Sequence, residues 1–299
     1  MKELENMNLI TVFTPTYNRA YCLNKCYESM QKQSCKAFDW LIVDDGSTDN
    51  TKEIVNEWIK EDKIEINYIY KKNGGKHTAL NLGFQIIDTE LTFIVDSDDI
   101  LTSDAIESII SDWGKYKCSS IAGISYLRGY SIDETIGNIF PDNGCYNGID
   151  IQFRYKISGD KAEVWRTDIL SQYSFPVYDD EKFQGENYVW WQIALKYDMM
   201  YVNKIIYITE YHKGGLTKSG RRLRINCPRG GMDNSKMGFN KKFPLKERIK
   251  RGILYNCYGF FAHKNIKERI KTSNNHKYIV LCTYLFGFFL YKYWKYKYL

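Results

Sequence analysis

The sequence predicts an α/β fold, a mostly parallel central sheet flanked by helices, followed by a basic helical extension. Three observations predict it. Apolar strands and amphipathic helices alternate as far as about residue 113, the pattern of βαβ units. The strands are continuous apolar runs, as expected of a sheet covered on both faces. Basic residues collect at the end: residues 211–299 hold 21 of the 42 Lys and Arg but only three of the 36 Asp and Glu.

The elements follow in order. Residues 9–14 read as the first strand and 20–33 as a helix. Residues 38–45 read as a second strand, with Ser47 capping a helix that runs to about residue 59. Residues 64–70 make a third strand, 76–87 a helix and 91–96 a fourth strand. Ser103 opens a further helix to about residue 113. After Lys117 the pattern loosens. Residues 120–130, 160–165 and 205–212 read as strands and 187–197 as a helix. Two helices are expected near 245–263 and 278–293. Two domains are predicted, 8–220 and 221–299.

With 44% hydrophobic and 26% charged residues and 5 Pro, the composition is that of a folded chain. The eight Cys form no CxxC pair, which predicts reduced thiols used in packing. Residues 1–8 are polar and acidic, so no signal peptide is read and a cytoplasmic protein is expected. Residues 278–291 are uncharged, but a membrane span needs about 20 residues. "KYWKYKYL" follows, mixing Lys with Tyr and Trp. This predicts peripheral attachment to an anionic membrane surface on the inner face of the cell membrane. No nucleic-acid-binding motif accompanies the charge, and no nucleic-acid partner is expected.

Ligands of open parallel sheets bind beyond the carboxyl ends of the strands. The polar segments there are "TPTYNRA", "DDGSTDNT", "KKNGGKHTALN" and "DSDD". Asp96, Asp98 and Asp99 put three carboxylates within four residues. Such clusters persist where positive charge sits among them, usually a metal ion. The two glycines before the helix at 76 allow close approach of a phosphate to its N-terminus, with Lys72 or Lys76 adding charge. Neither GxxxxGK[ST] nor GxGxxG occurs, which excludes a P-loop and counts against a dinucleotide-binding fold.

Taken together, in this order and at this spacing, the four segments resemble the family 2 glycosyltransferases, which have the GT-A fold. The resemblance covers roughly residues 8–215. "SGDKAEVWRTDIL", "GENYVWWQIALKY" and "YHKGGLT" are similar to a bacterial branch of that family associated with surface polysaccharides. The resemblance implies inverting transfer of a sugar from a nucleotide diphosphate, UDP favoured, to a hydroxyl of a glycan or lipid-linked glycan. It implies Mn²⁺ or Mg²⁺ held by the DXD pair Asp96 and Asp98, with His212 as a third ligand or diphosphate contact. It implies a nucleotide site in which Asp45 accepts from the base, Tyr17 stacks on it, and Thr14 and Pro15 shape the wall. Arg19, Asn73, Gly75, Lys76 and Ser97 complete that site.

The catalytic base implied is Glu186, in "QGENYVWW", where the family often has Glu-Asp and this chain has Glu-Asn. Asp179, Asp180 and Glu181 are the alternatives. Asp160, Lys161, Trp190 and Trp191 fall on the acceptor side, although one of the two tryptophans suits a core. Each segment also has a plainer reading: "DDGST" as an Asp-Gly turn before a helix, Glu186 as a carboxylate at a helix start, "DKAEVW" as an edge strand. Two rival functions share these features, a sugar-phosphate nucleotidyltransferase and a non-catalytic nucleotide-sugar-binding module. The first usually begins with a Gly-rich basic loop where this chain has "TPTYNRA".

Overall fold

The computed structural model describes residues 8–209 and 216–299. They form two compact units, one of residues up to 174 with 196–209 and the other of 175–195 with 216–299.

In the first unit, β1 (Ile10–Thr16), β2 (Phe38–Asp44), β3 (Ile66–Tyr70) and β4 (Leu91–Ile94) are the four predicted strands. They pair in parallel in the order β3-β2-β1-β4. The helices α1 (Leu23–Gln31), α2 (Thr51–Glu61) and α3 (Lys76–Ile86) connect them. Successive strand residues point to opposite faces. On one face Trp40 stacks with Tyr27 of α1 and Trp58 of α2, the last two rings 4.2 Å apart. On the other, Phe13 meets Phe84 of α3 edge-on. Full burial of each such side chain contributes roughly 1.5–3 kcal/mol, so both helical layers hold the sheet.

The remaining half of the sheet is mixed. After β5 (Asp99–Leu101) and α4 (Ala105–Tyr116) come β6 (Ile121–Gly129), β7 (Gly144–Tyr146), α5 (Gly148–Phe153), β8 (Lys161–Arg166), α6 (Thr167–Leu170) and later β9 (Asp198–Thr209). The order continues from β4 through β8, β6 and β9 to β5, and β7 also pairs with β9. Of these contacts only β6–β9 is parallel.

Local starts differ from expectation. Helix α2 begins at Thr51, and Ser47 does not cap it; Ser47 Oγ accepts from the Asn18 N–H instead. Asp104 sits at the cap position of α4, but its carboxylate is engaged by Thr102 and Lys204.

The second unit contains α7 (Asn187–Ala194), α8 (Leu216–Asn226), α9 (Pro228–Met237), α10 (Leu245–Phe261), α11 (Ile266–Lys271) and α12 (Lys277–Tyr298). Helices α10 and α12 cross closely. A Cβ on Gly287 would lie 2.4 Å from that of Asn256. Asn256 Nδ2 donates to Val280 O at 2.9 Å and Thr283 Oγ1 at 3.0 Å. Arg269 is buried under this pair, donating to Asn256 O and Lys264 O with its guanidinium 3.8 Å from the Phe260 ring centre.

The division near residue 220 expected from the sequence therefore moves. Residues 175–195 pack with the C-terminal part through side chains distant in sequence. Trp191 sits edge-on to Phe243 and under Arg251. The Glu181 carboxylate accepts from the first N–H groups of α9, Arg229 and Gly230. Among the described residues no helix is long and apolar enough to cross a membrane.

Candidate active site

Because β1 to β4 are parallel, their carboxyl ends share one edge of the sheet, and the four polar segments meet there. The loop after β1 is tied to the loop after β2. Asn18 N donates to Ser47 Oγ, Thr48 N donates to Asn18 Oδ1, and Ala20 N donates to Asp49 Oδ2. The loop after β2 is tied in turn to the loop after β3. Gly46 has φ +86, and a Cβ on it would lie 2.6 Å from Asn73 N, so only glycine lets the two backbones approach this closely.

Asp45 is the knot of this arrangement. Its carboxylate is 3% exposed. Oδ1 accepts from Lys71 Nζ at 2.6 Å and Gly74 N at 2.9 Å; Oδ2 accepts from Gly75 N at 2.7 Å and Asn73 Nδ2 at 3.1 Å. Thr78 Oγ1 adds a long contact. This corrects the expected contact between Asp45 and a base: both oxygens are occupied by the glycine loop. Asp44 is likewise internal, accepting from Ser47 N and Tyr68 OH.

The "DSDD" segment carries three cations around its carboxylates. Lys76 Nζ donates to Asp96 Oδ1 at 2.5 Å. Arg128 Nη1 lies 3.7 Å from both Asp96 Oδ2 and Asp99 Oδ2. Arg19 Nη2 lies 3.8 Å from Asp98 Oδ2. Tyr207 OH donates to Asp99 Oδ2 at 2.8 Å and accepts from Asp96 N at 2.9 Å, while its ring lies under Arg128. Burial alone raises the Asp96 pKa, but the Lys76 and Arg128 charges outweigh it and hold the carboxyl well below the usual range. Asp99 goes the other way: burial and the Asp96 charge push it up to about 7.

The other expected residues distribute as follows. Tyr17 is 47% exposed, as a stacking surface requires. Pro15 is buried in β1, and Thr14 is fully buried, its hydroxyl accepting from Trp40 Nε1 at 2.9 Å; Thr14 belongs to the core and lines no open wall. Ser97 is buried, and its carbonyl faces the Cys22 thiol. Lys72 is exposed.

Lys161 is corrected from an acceptor-side residue to a structural one. It is buried, and its ammonium donates to the Asn138 and Ser158 carbonyls. Its neighbour Asp160 is exposed. Trp191 is core, and Trp190 is half-buried against Phe175. His212 lies outside the described residues.

In the second unit Glu186 occupies the cap position of α7, half-buried, with no side-chain cap bond. Asp179 and Asp180 are exposed, and Asp180 is paired with Arg229. Glu181 is occupied by the start of α9.

Arg128, Tyr207 and Lys71 escaped the sequence reading. Arg128 had a signal, as a lone cation inside the strand "SIAGISYLRGY". Tyr207 is one of 25 tyrosines and had none.

Among the described residues no three His, Cys, Asp or Glu side chains converge into a metal cage. The donor set nevertheless fits Mg²⁺ or Mn²⁺. Such ions often take one or two carboxylates and complete their shell with water and substrate phosphate. Asp96 and Asp98 remain 29% and 23% exposed and offer those carboxylates.

The family described as Glycosyl transferase family 2 matches residues 11–185. Glycosyltransferase GlyG of Streptococcus pneumoniae serotype 4 is 33% identical over 133 residues, 44% of this chain and 42% of that one. This chain thus spans less than half the length of that relative. A GalNAc(5)-diNAcBac-PP-undecaprenol beta-1,3-glucosyltransferase of Campylobacter jejuni is 28% identical over 93% of this chain and 88% of its own. Among solved structures, S. aureus TarS 1–349 in complex with UDP aligns with a TM-score of 0.57 at 16% identity, covering 95% of this chain and 91% of that one. The mannosyltransferase PcManGT from Pyrobaculum calidifontis, in complex with GDP-Man and Mn²⁺, aligns at 0.56 and 15% identity, covering 96% and 82%. At these identities the two structures establish the GT-A fold.

Proposed function

The chain belongs to glycosyl transferase family 2, and from that premise we propose that it transfers a sugar from a UDP-sugar to a hydroxyl of a glycan or lipid-linked glycan, with inversion, in the synthesis of a bacterial surface polysaccharide. One observation carries the reading. Three carboxylates and three cations meet at the carboxyl edge of a parallel sheet, beside a glycine loop and an exposed tyrosine. Such a mixture suits a nucleotide diphosphate together with a divalent ion. Support for UDP comes from the TarS complex, and support for a lipid-linked acceptor from the Campylobacter relative.

Each residue then has a task. Tyr17 stacks on the base, which contributes on the order of 0.5–1.5 kcal/mol beyond area burial. Asp45 acts on the nucleotide at one remove, by fixing Gly74 and Gly75 in place. Arg19 and Lys76 orient the diphosphate with their charges. Asp96 and Asp98 would hold Mn²⁺ or Mg²⁺, whose charge would stabilise the departing diphosphate. Glu186 takes the proton from the attacking hydroxyl.

Calorimetric titration of UDP, GDP, CDP and TDP, with and without Mn²⁺, tests the donor half. UDP binding that needs the ion and disappears in Asp98→Ala is expected. Absence of binding by every nucleotide would overturn the reading. Glu186→Gln tests the base: UDP binding unchanged, with transfer reduced by about 100-fold or more. Unchanged transfer would remove Glu186 from the mechanism.

A further inference from the structure

Helix α12 is apolar on two opposite faces, yet among the described residues only one of them is packed. Val280, Thr283, Gly287 and Trp294 form its inward seam against the second unit. On the opposite side Tyr278, Leu285, Phe286, Phe289, Tyr293 and Tyr296 are 53–90% exposed. The exposed residues recur at spacings of three, four and seven, so they make one continuous stripe. A helix of a water-surrounded protein carries polar residues there, and a stripe of this size marks an interaction surface.

We propose that this stripe docks α12 flat into the interface of an anionic lipid bilayer. Length and charge select that occupant. No stretch of the helix is apolar enough to span a membrane, which leaves an in-plane position. Lys277, Lys292, Lys295 and Lys297 lie on the same helix, and no acidic residue follows Glu268. The tyrosines suit the headgroup level, and the lysines suit anionic headgroups. A second copy of the chain fits worse, because a two-fold contact through α12 would bring these uncompensated lysines together. The inference stands apart from the transferase reading, since it uses no residue of the donor site.

Vesicle flotation of the full chain tests it, with phosphatidylcholine alone and with phosphatidylcholine plus phosphatidylglycerol. Binding to the anionic vesicles is expected. The triple variant Leu285→Ser, Phe286→Ser, Phe289→Ser should weaken it by about 100-fold. These side chains lie outside the seam, so far-ultraviolet circular dichroism should not change. The triple variant Lys292→Gln, Lys295→Gln, Lys297→Gln should also lose affinity, most at low salt. Failure of the wild-type chain to bind either vesicle would overturn the proposal. So would a soluble dimer in sedimentation that the apolar variant dissociates. UDP titration on the same samples separates the two readings: vesicle binding without nucleotide binding sinks the transferase reading alone, and the reverse sinks this one.

Discussion

The Asp45 carboxylate accepts from five groups between Lys71 and Thr78, so replacing it acts first on the loop and only then on a ligand. In Asp45→Asn the pair with Lys71 is lost, and an amide N–H faces backbone N–H groups. A buried acceptor lost in this way costs roughly 1–3 kcal/mol. Thermal unfolding should show that loss, and calorimetry should show weakened UDP binding alongside it; a variant with wild-type stability would remove Asp45 as the anchor. His77, in the first turn of α3, gives a second test. It is 3% exposed, and Nδ1 has no partner among the described residues. Burial lowers its pKa, with the Lys71 charge adding to the shift and Asp45 opposing it. The unfolded chain therefore takes up a proton near the ordinary value of about 6.5 while the folded chain does not. Stability is expected to fall as pH drops below that value, and to fall less in His77→Gln; equal pH slopes in both proteins would contradict this. The sequence exposed these residues but not their directions. Asp45 and Lys76 could be singled out only through the set of segments they belong to. That Asp45 turns inward, and that Arg128 and Tyr207 brace the other carboxylates, depends on groups brought together from segments 30 to 111 residues apart.

At the scale of elements, legibility followed burial pattern. The first four strands were clear because β1, β2 and β4 are mainly apolar runs and β3 alternates. β5 was not, because its three residues carry no period and exist as a strand only through β9. α9 and α11 were missed for a similar reason: short, polar and Gly-rich or charged, they are held by contacts rather than propensity. The long helices of the second unit were read correctly, but their crossing was not legible, since it depends on one glycine meeting one asparagine. Gly287→Val should force α10 and α12 apart. Overpacking of this kind costs typically about 1–3 kcal/mol, so the denaturation midpoint should fall while UDP binding to the folded chain persists. An unchanged midpoint would mean that the crossing tolerates a side chain.

Across the whole molecule, the boundary is the feature that sequence order conceals. Residues 175–195 read as a continuation of the first domain, yet Trp191 packs on Phe243 and Arg251 and Glu181 on the start of α9, all beyond residue 220. Deleting 221–299 should therefore leave Trp191 and Glu181 without their partners. Limited proteolysis should cut the shortened chain within 175–195 and spare that stretch in the full chain; equal protection would show that the segment is held by other means. The charge asymmetry follows the same division, with the basic excess concentrated in the unit that carries the exposed stripe.

The pairing of β5 with β9 has a consequence in time. Asp99 is opposite Thr209, and Tyr207 braces Asp96 and Asp99 across more than 100 residues of intervening chain. During synthesis the carboxylate segment leaves the ribosome long before the strand that fixes it. Closing so long a loop is slow, so "DSDD" is expected to settle late, and a nascent chain stalled before residue 198 would hold its acidic cluster without the Tyr207 brace.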